Sequence, residues 1–100
     1  MIYIKKPAGP RWRWAANCIS GPGGGIFHLR ETSPGEFTGE FGKTNSWDVG
    51  TISNGKVRDK AVTFVSFYSI ARTWTATLSG SQMRGSFTGP GNCTFSAIKT

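Results

Sequence analysis

The sequence contains few acidic residues and few of the residues that usually carry chemistry. Its 100 residues include 5 Asp+Glu against 12 Lys+Arg, with 1 His and 2 Cys. Two cysteines are too few for a disulfide scaffold, and this set of side chains forms no metal-binding motif. No apolar run approaches the length of about 18 residues that a membrane-spanning helix needs. We therefore expect no metal, no cofactor and no membrane span.

Catalytic patterns are also missing. His28, the single histidine, has no Ser or Cys at a known motif spacing. Glu36 and Glu40 share a strand face, but their positions along a strand lie about 13 Å apart. Paired catalytic carboxylates usually lie about 5–9.5 Å apart. Residues 21–25 are glycine-rich, but they lack the Lys-Ser/Thr pair and the following helix of a phosphate-binding loop. We expect a protein that is not an enzyme.

Glycine and aromatic residues are abundant. The chain has 14 Gly and 13% aromatic residues, which suits many turns and large core side chains on strands. Between Arg11 and Cys18 the residues alternate, with Trp12 and Trp14 on one face and Arg11 and Arg13 on the other. No long segment shows the 3.6-residue period of an amphipathic helix. The pattern therefore favours β-strands.

Alternation and turn signals together predict one all-β domain. The predicted strands are 11–18, 26–32, 36–42, 47–53, 61–70, 72–79, 82–89 and 93–99. Residues 1–10 are predicted to be a lead-in segment to a domain at 11–100, residues 20–25 a flexible loop, and Asn54-Gly55 a two-residue hairpin turn. The predicted architecture is a single antiparallel up-and-down meander of about eight strands that closes into a small β-barrel, which removes its edges.

A short repeat supports closure. Residues 35–39 (Gly-Glu-Phe-Thr-Gly) and 85–89 (Gly-Ser-Phe-Thr-Gly) are near-copies. Alternation assigns Phe37 and Phe87 to the inward faces of strands three and seven, which lie opposite each other in a ring of eight. We expect both rings to help fill one core, and the repeat suggests a barrel of two similar halves.

Closure also makes a prediction about the two cysteines. Cys18 ends the first strand and Cys93 begins the last, and both fall on inward faces. Because the first and last strands of a closed meander pair antiparallel, we expect the two residues to be neighbours. They would be reduced in the cytosol and bridged after export. No secretion signal is visible, so the default expectation is a cytoplasmic location.

About 30 residues resemble the start of the avidin family. The resemblance rests on Trp14, on Ile-Phe-His-Leu at 26–29, and on Gly-Glu-Phe-Thr-Gly-Glu-Phe at 35–41. It implies an up-and-down barrel of the calycin type, and it implies this fold more than any ligand. Ser20 and Asn17 would replace the family's loop Ser and Asn. However, the Tyr that hydrogen-bonds biotin in the family falls on Phe41, which has no hydroxyl, so the resemblance argues against biotin.

The first functional hypothesis is a non-enzymatic barrel that holds a small apolar ligand inside. It rests on the predicted inward aromatic side chains, which are Trp12, Trp14, Phe27, Phe37, Phe41, Trp74, Phe87 and Phe95. These rings either fill the barrel or line a cavity with a few polar groups at its mouth. The candidate ligand-binding residues are Trp12, Trp14, Asn17, Ser20, Phe41, Trp47 and Trp74.

Two other hypotheses concern the surface. The formal charge of +7 favours an anionic partner, such as single-stranded nucleic acid or another polyanion. The candidate residues for such a partner are Lys5, Lys6, Arg11, Arg13, Lys56, Arg58 and Lys60. The third hypothesis is a self-associating structural module. It rests on the strand from Ala61 to Ile70, which is apolar on both faces and therefore suggests a homo-oligomer.

Overall fold

The computed structural model describes residues 11–19, 21–43, 49–68, 70–88 and 91–100. The strands are β1 (Arg11–Cys18), β2 (Gly21–Ser33), β3 (Glu36–Lys43), β4 (Val49–Arg58), β5 (Ala61–Tyr68), β6 (Ile70–Ser79), β7 (Gln82–Thr88) and β8 (Asn92–Lys99). Each strand pairs antiparallel with the next, and β8 pairs with β1, so the sheet is a closed barrel. The described ranges contain no helix that is long and apolar enough to cross a membrane. The predicted all-β meander is confirmed.

The barrel has two different ends. One, the Arg11 end, carries the start of β1 and the two-residue turns at 34–35, 59–60 and 80–81. The other, the disulfide end, carries the bond between Cys18 and Cys93, whose Cα atoms lie 4.3 Å apart. These residues are directly paired across the β1–β8 seam. The prediction that the two cysteines are neighbours is therefore confirmed.

Aromatic rings fill the centre of the barrel. The buried aromatic side chains are Trp12, Trp14, Phe27, Phe37, Phe64, Trp74, Phe87 and Phe95. Phe41 is half-buried and packs against this cluster. Burying one such side chain contributes about 1.5–3 kcal/mol relative to leaving it in water. The predicted inward faces are therefore confirmed, and they account for most of the core.

Trp74 lies at the middle of this cluster and is only 1% exposed. Its ring stacks on Phe87 with centroids 3.9 Å apart and meets Phe95 edge-on at 4.9 Å. Its indole N–H donates a 2.8 Å hydrogen bond to the buried Ser66 hydroxyl. Because a buried N–H without a partner is costly, Ser66 allows the most central ring to be a tryptophan.

The glycine-rich segment is not a loop, contrary to the sequence prediction. β2 begins at Gly21 and pairs with β1 in continuous register from Cys18↔Gly21 to Arg11↔His28. Gly25 shows why glycine is needed there. A Cβ on Gly25 would lie 1.9 Å from the carbonyl oxygen of Gly42 and 2.9 Å from Trp14 Nε1. Gly25 therefore allows close packing in this strand instead of breaking it.

Asn54-Gly55 is not a hairpin turn either. Both residues lie inside β4, where the register with β5 shifts between Ser53 and Lys56. Asn54 has φ of 54°, so it adopts the left-handed conformation of an irregularity in the ladder. The true turn follows at 59–60 and joins Arg58 to its partner Ala61. The predicted hairpin was wrong because a bulge and a turn use the same residue types.

The fifth strand is shorter than predicted. β5 ends at Tyr68, and Ile70 is the first residue of β6, where it pairs with Tyr68. The inward face of β5 is buried at Val62, Phe64 and Ser66. Its outward face is polar at Thr63 and apolar at Val65 and Phe67, which lie towards the disulfide end.

The two copies of the repeat do not occupy equivalent places. Phe37 and Phe87 are both buried in the same core, as predicted. However, Gly35 forms the β2–β3 turn with φ of 78°, whereas Gly85 lies inside β7 and pairs with Phe95. The repeat therefore reflects two aromatic core positions and not two structurally matching halves.

Candidate functional site

The predicted ligand-binding residues do not form one site. Trp12, Trp14 and Trp74 are buried in the core, and Phe41 is half-buried beside it. Asn17 is exposed and belongs to the opposite, outward face of β1. Two further candidates, Ser20 and Trp47, lie outside the described residues. The three tryptophans pack in the core, whereas Asn17 lies on the outer surface, so these four residues do not face one ligand.

The predicted basic residues separate into two groups. Arg11 and Arg13 are exposed on the outer face of β1. The second group, Lys56, Arg58 and Lys60, is exposed on β4 and the following turn. Lys5 and Lys6 lie outside the described residues. Because β2 and β3 separate β1 from β4, the structure does not bring the two groups together.

Acidic residues distinguish the surroundings of the two groups. The five acids are Glu31, Glu36, Glu40, Asp48 and Asp59, so none occurs in residues 1–30 or 60–100. The second basic group therefore has acidic neighbours: Lys56 pairs across the ladder with Glu36, and Asp59 stands between Arg58 and Lys60. Barrel closure joins the two acid-free segments by placing β1 beside β8. We call the outward side of β6, β7, β8 and β1 the acid-free face.

Two shallow depressions follow the β8–β1 seam of the acid-free face. One, of about 500 Å³, is lined by Arg13, Trp14, Ala15, Pro22, Gly23, Gly24, Ser96 and Ile98. The other, of about 560 Å³, is lined by Asn17, Cys18, Ile19, Ser86, Thr88, Asn92, Cys93 and Thr94. Their lining residues are consecutive in register, from Arg13↔Ile98 through Ala15↔Ser96 to Asn17↔Thr94. The two depressions follow one another along the seam, and we call them together the seam groove.

Small side chains explain why the groove exists. Its floor is the pair Ala15 and Ser96, and one wall is the start of β2, where Gly23 and Gly24 carry no side chain. Gly24 is the register partner of the outward-facing Ala15, so this wall presents no side chain to the groove. The glycine-rich segment thus leaves space on the outer surface of the barrel.

Two arginines flank the strand at the centre of the groove. Arg13 is the cross-strand partner of Ile98, and Arg84 on β7 is the partner of Ser96. They lie on opposite sides of β8, about 12 Å apart at Cα by strand geometry. Both are exposed, and neither forms an ion pair with a residue that the structure describes. The sequence prediction missed Arg84 because this arginine is not part of a basic cluster. The signal that points to it is that all five acidic residues lie between 31 and 59, so Arg84 belongs to a segment without acids.

Arg30 behaves differently, although it also belongs to an acid-free segment of the sequence. Its guanidinium donates two hydrogen bonds to the carboxylate of Glu40 on β3. This bidentate hydrogen bond lowers the pKa of the Glu40 carboxyl below its usual value. Glu40 therefore stays ionised to lower pH than an ordinary glutamate, and its carboxylate already pairs with the Arg30 guanidinium. Arg13 and Arg84 on the acid-free face, by contrast, are exposed and form no ion pair with a described residue.

No model of a known protein family, no curated protein and no solved structure matches the chain. The resemblance to the avidin family therefore stays a prediction. Within the described ranges, no group of three or more His, Cys, Asp and Glu side chains is placed to hold a metal ion.

The disulfide end carries exposed apolar side chains. Phe67, Tyr68 and Ile70, where β5 meets β6, are 54%, 47% and 44% exposed. Nearby Arg72 is half-buried and places its guanidinium carbon 5.7 Å from the centre of the Phe87 ring, in a cation–π contact at the edge of the core. Sequence reasoning missed this role of Arg72, which alternation alone does not reveal.

Proposed function

We propose that this protein is a non-enzymatic binding module that holds an extended polyanion in the seam groove. The observation that carries the proposal is the arrangement of Arg13 and Arg84 beside an elongated groove on a face without carboxylates. An exposed guanidinium pairs well with phosphate, sulfate or carboxylate because its planar fork donates two parallel hydrogen bonds. Without nearby acids, an anionic ligand meets no repulsion.

Inorganic polyphosphate tests this proposal because it has charge but neither bases nor sugars. We expect it to bind at low salt, with an affinity that falls steeply as salt rises. The double variant Arg13→Gln/Arg84→Gln should lose about tenfold or more in affinity, and its log–log salt slope should become shallower by about one to two. Titration calorimetry at several KCl concentrations measures both quantities.

A matched control separates position from net charge. The double variant Arg58→Gln/Lys60→Gln also removes two positive charges, but from the side of the barrel that carries Asp59. It should keep polyphosphate affinity within about threefold of the original protein. Equal losses in the two double variants would mean that net charge alone attracts the ligand, and the seam groove would have no special role.

A ligand inside the barrel receives less support from the same structure. The indole rings proposed to hold it already contact each other, with Trp14 and Trp74 at 5.4 Å between centroids. Such a ligand would have to displace part of this packing. One polar group it could meet is the buried indole N–H of Trp14, which has no hydrogen-bond partner among the described residues.

Self-association is a second candidate function, favoured by the exposed apolar side chains at the disulfide end. The proposed partner is a second copy of the chain, which would cover Phe67 and Ile70. We expect light scattering to detect a dimer at high protein concentration and the variant Phe67→Ser to shift the protein to a monomer. Ile98→Ser is the matched control, because Ile98 is 53% exposed on a different face. A protein that stays monomeric at every concentration would refute this candidate.

A further inference from the structure

The seam groove has chemistry that discriminates among polyanions. Single-stranded nucleic acid binders combine a basic groove with aromatic rings on which the bases stack. Among the described residues, the most exposed aromatic side chains are Phe67 and Tyr68, on β5. In a ring of eight strands β5 lies opposite β1, so these rings cannot stack on a chain that follows the seam.

Trp14 is the aromatic residue that lines the groove, but its ring is not a stacking surface. The side chain is only 8% exposed, and its ring is nearly parallel to Phe27 with centroids 5.5 Å apart. Trp74 and Phe87 contact the same ring edge-on. A base would have to separate core rings to reach a face of Trp14.

Hydroxyl and amide groups are instead plentiful along the groove. The side chains that supply them are Asn17, Ser86, Thr88, Asn92, Thr94 and Ser96. Hydroxyls both donate and accept hydrogen bonds, as do side-chain amides, and this is the bonding capacity that a sugar hydroxyl requires. Ser86 and Thr94 are direct cross-strand partners, as are Thr94 and Asn17. These pairs form a polar row across three strands.

We infer that the polyanion bound in the seam groove is an acidic polysaccharide. The arginines beside Ile98 and Ser96 would pair with its sulfate or carboxylate groups, and the row from Ser86 to Asn17 with its hydroxyls. The groove runs along the strands for about 17–20 Å, so it would accommodate several sugar units in an extended chain. This inference rests on the proposed function and assigns its ligand class.

The test compares three probes on the folded protein: a heparin oligosaccharide, an oligothymidylate of similar net charge, and uncharged dextran. We expect heparin to bind about tenfold or more tightly than oligothymidylate at equal salt and dextran to bind far more weakly. The variant Thr94→Val keeps the β-branched shape and removes one hydroxyl. It should weaken heparin binding about fivefold and polyphosphate binding less, because a phosphate oxygen only accepts from this hydroxyl, whereas a sugar hydroxyl both donates to it and accepts from it. Thr51, which is exposed on β4, provides the matched control: Thr51→Val should change neither heparin nor polyphosphate affinity.

Each contrary result has a separate meaning. Oligothymidylate binding as tight as heparin would overturn the polysaccharide assignment and leave the polyanion proposal intact. Dextran binding as tight as heparin would show that the acidic groups are not recognised, which also overturns it. If neither polyphosphate, heparin nor oligothymidylate binds at low salt, the proposed function itself is wrong.

Discussion

Gly39→Ala is expected to lower the free energy of unfolding by about 3–5 kcal/mol or to prevent folding. A Cβ at this position would lie 1.9 Å from the carbonyl oxygen of His28 and 3.1 Å from the Cα of Leu29. Both contacts are with the backbone of β2, so no side-chain rotation relieves them. The barrel would have to move β2 away from β3, which disturbs the ladder that contains Leu29↔Gly39.

Gly23→Ala is the matched control for this prediction. Gly23 also lies within a strand, but a Cβ there would meet nothing within 4 Å. We expect its stability to stay within about 1 kcal/mol of the original protein, because alanine mainly reduces the freedom of the unfolded chain. Urea unfolding followed by tryptophan fluorescence measures both variants. Similar stabilities for Gly39→Ala and Gly23→Ala would show that the strands do not pack as closely as described.

Removing the disulfide is expected to cost about 4 kcal/mol of stability while the fold persists. Cys18 and Cys93 are 75 residues apart in the sequence, so the bond restricts a large part of the unfolded chain. The seam itself has other support, because β1 and β8 are paired from Trp12↔Lys99 to Cys18↔Cys93. The barrel should therefore close without the bond, but with a smaller margin.

The cysteine prediction is tested with single and double alanine variants. Cys18→Ala, Cys93→Ala and the double variant should lose similar amounts of stability, because each removes the same cross-link. The original protein should lose as much when it is unfolded in the presence of a reductant. Additive losses from the two single variants, with no effect of the reductant, would mean that the two thiols contribute only through packing.

Barrel closure also creates the proposed binding surface. Residues 11–30 and 60–100 lack acids, yet they are far apart in the sequence. Pairing of β1 with β8 makes their outer sides one surface, where Arg13 and Arg84 flank β8. The second basic cluster recognised in the sequence, at 56–60, is a poorer guide, because Lys56 faces Glu36 across the ladder. Distance along the chain therefore says little about which charges act together here.

The sequence alone determined the features that depend on local alternation. Period-two patterns identified eight strands and the inward positions of Trp74, Phe37 and Phe87, because side chains on a strand alternate between two faces. The meander order also placed Cys18 beside Cys93, because the first and last strands of a closed barrel must pair. These are consequences of chain geometry, so a sequence pattern is enough to predict them.

Only the tertiary structure decided the features that depend on what lies against a residue. The same residue types serve turns, bulges and closely packed strands, and the neighbouring backbone selects among them. Within β2, position 25 requires glycine because Gly42 and Trp14 occupy the space that a side chain would need. Asn54 forms a bulge and not a turn because β4 continues beyond it to the turn at 59–60. The acid-free face and its groove likewise exist only after β8 meets β1, a contact between the two ends of the described chain.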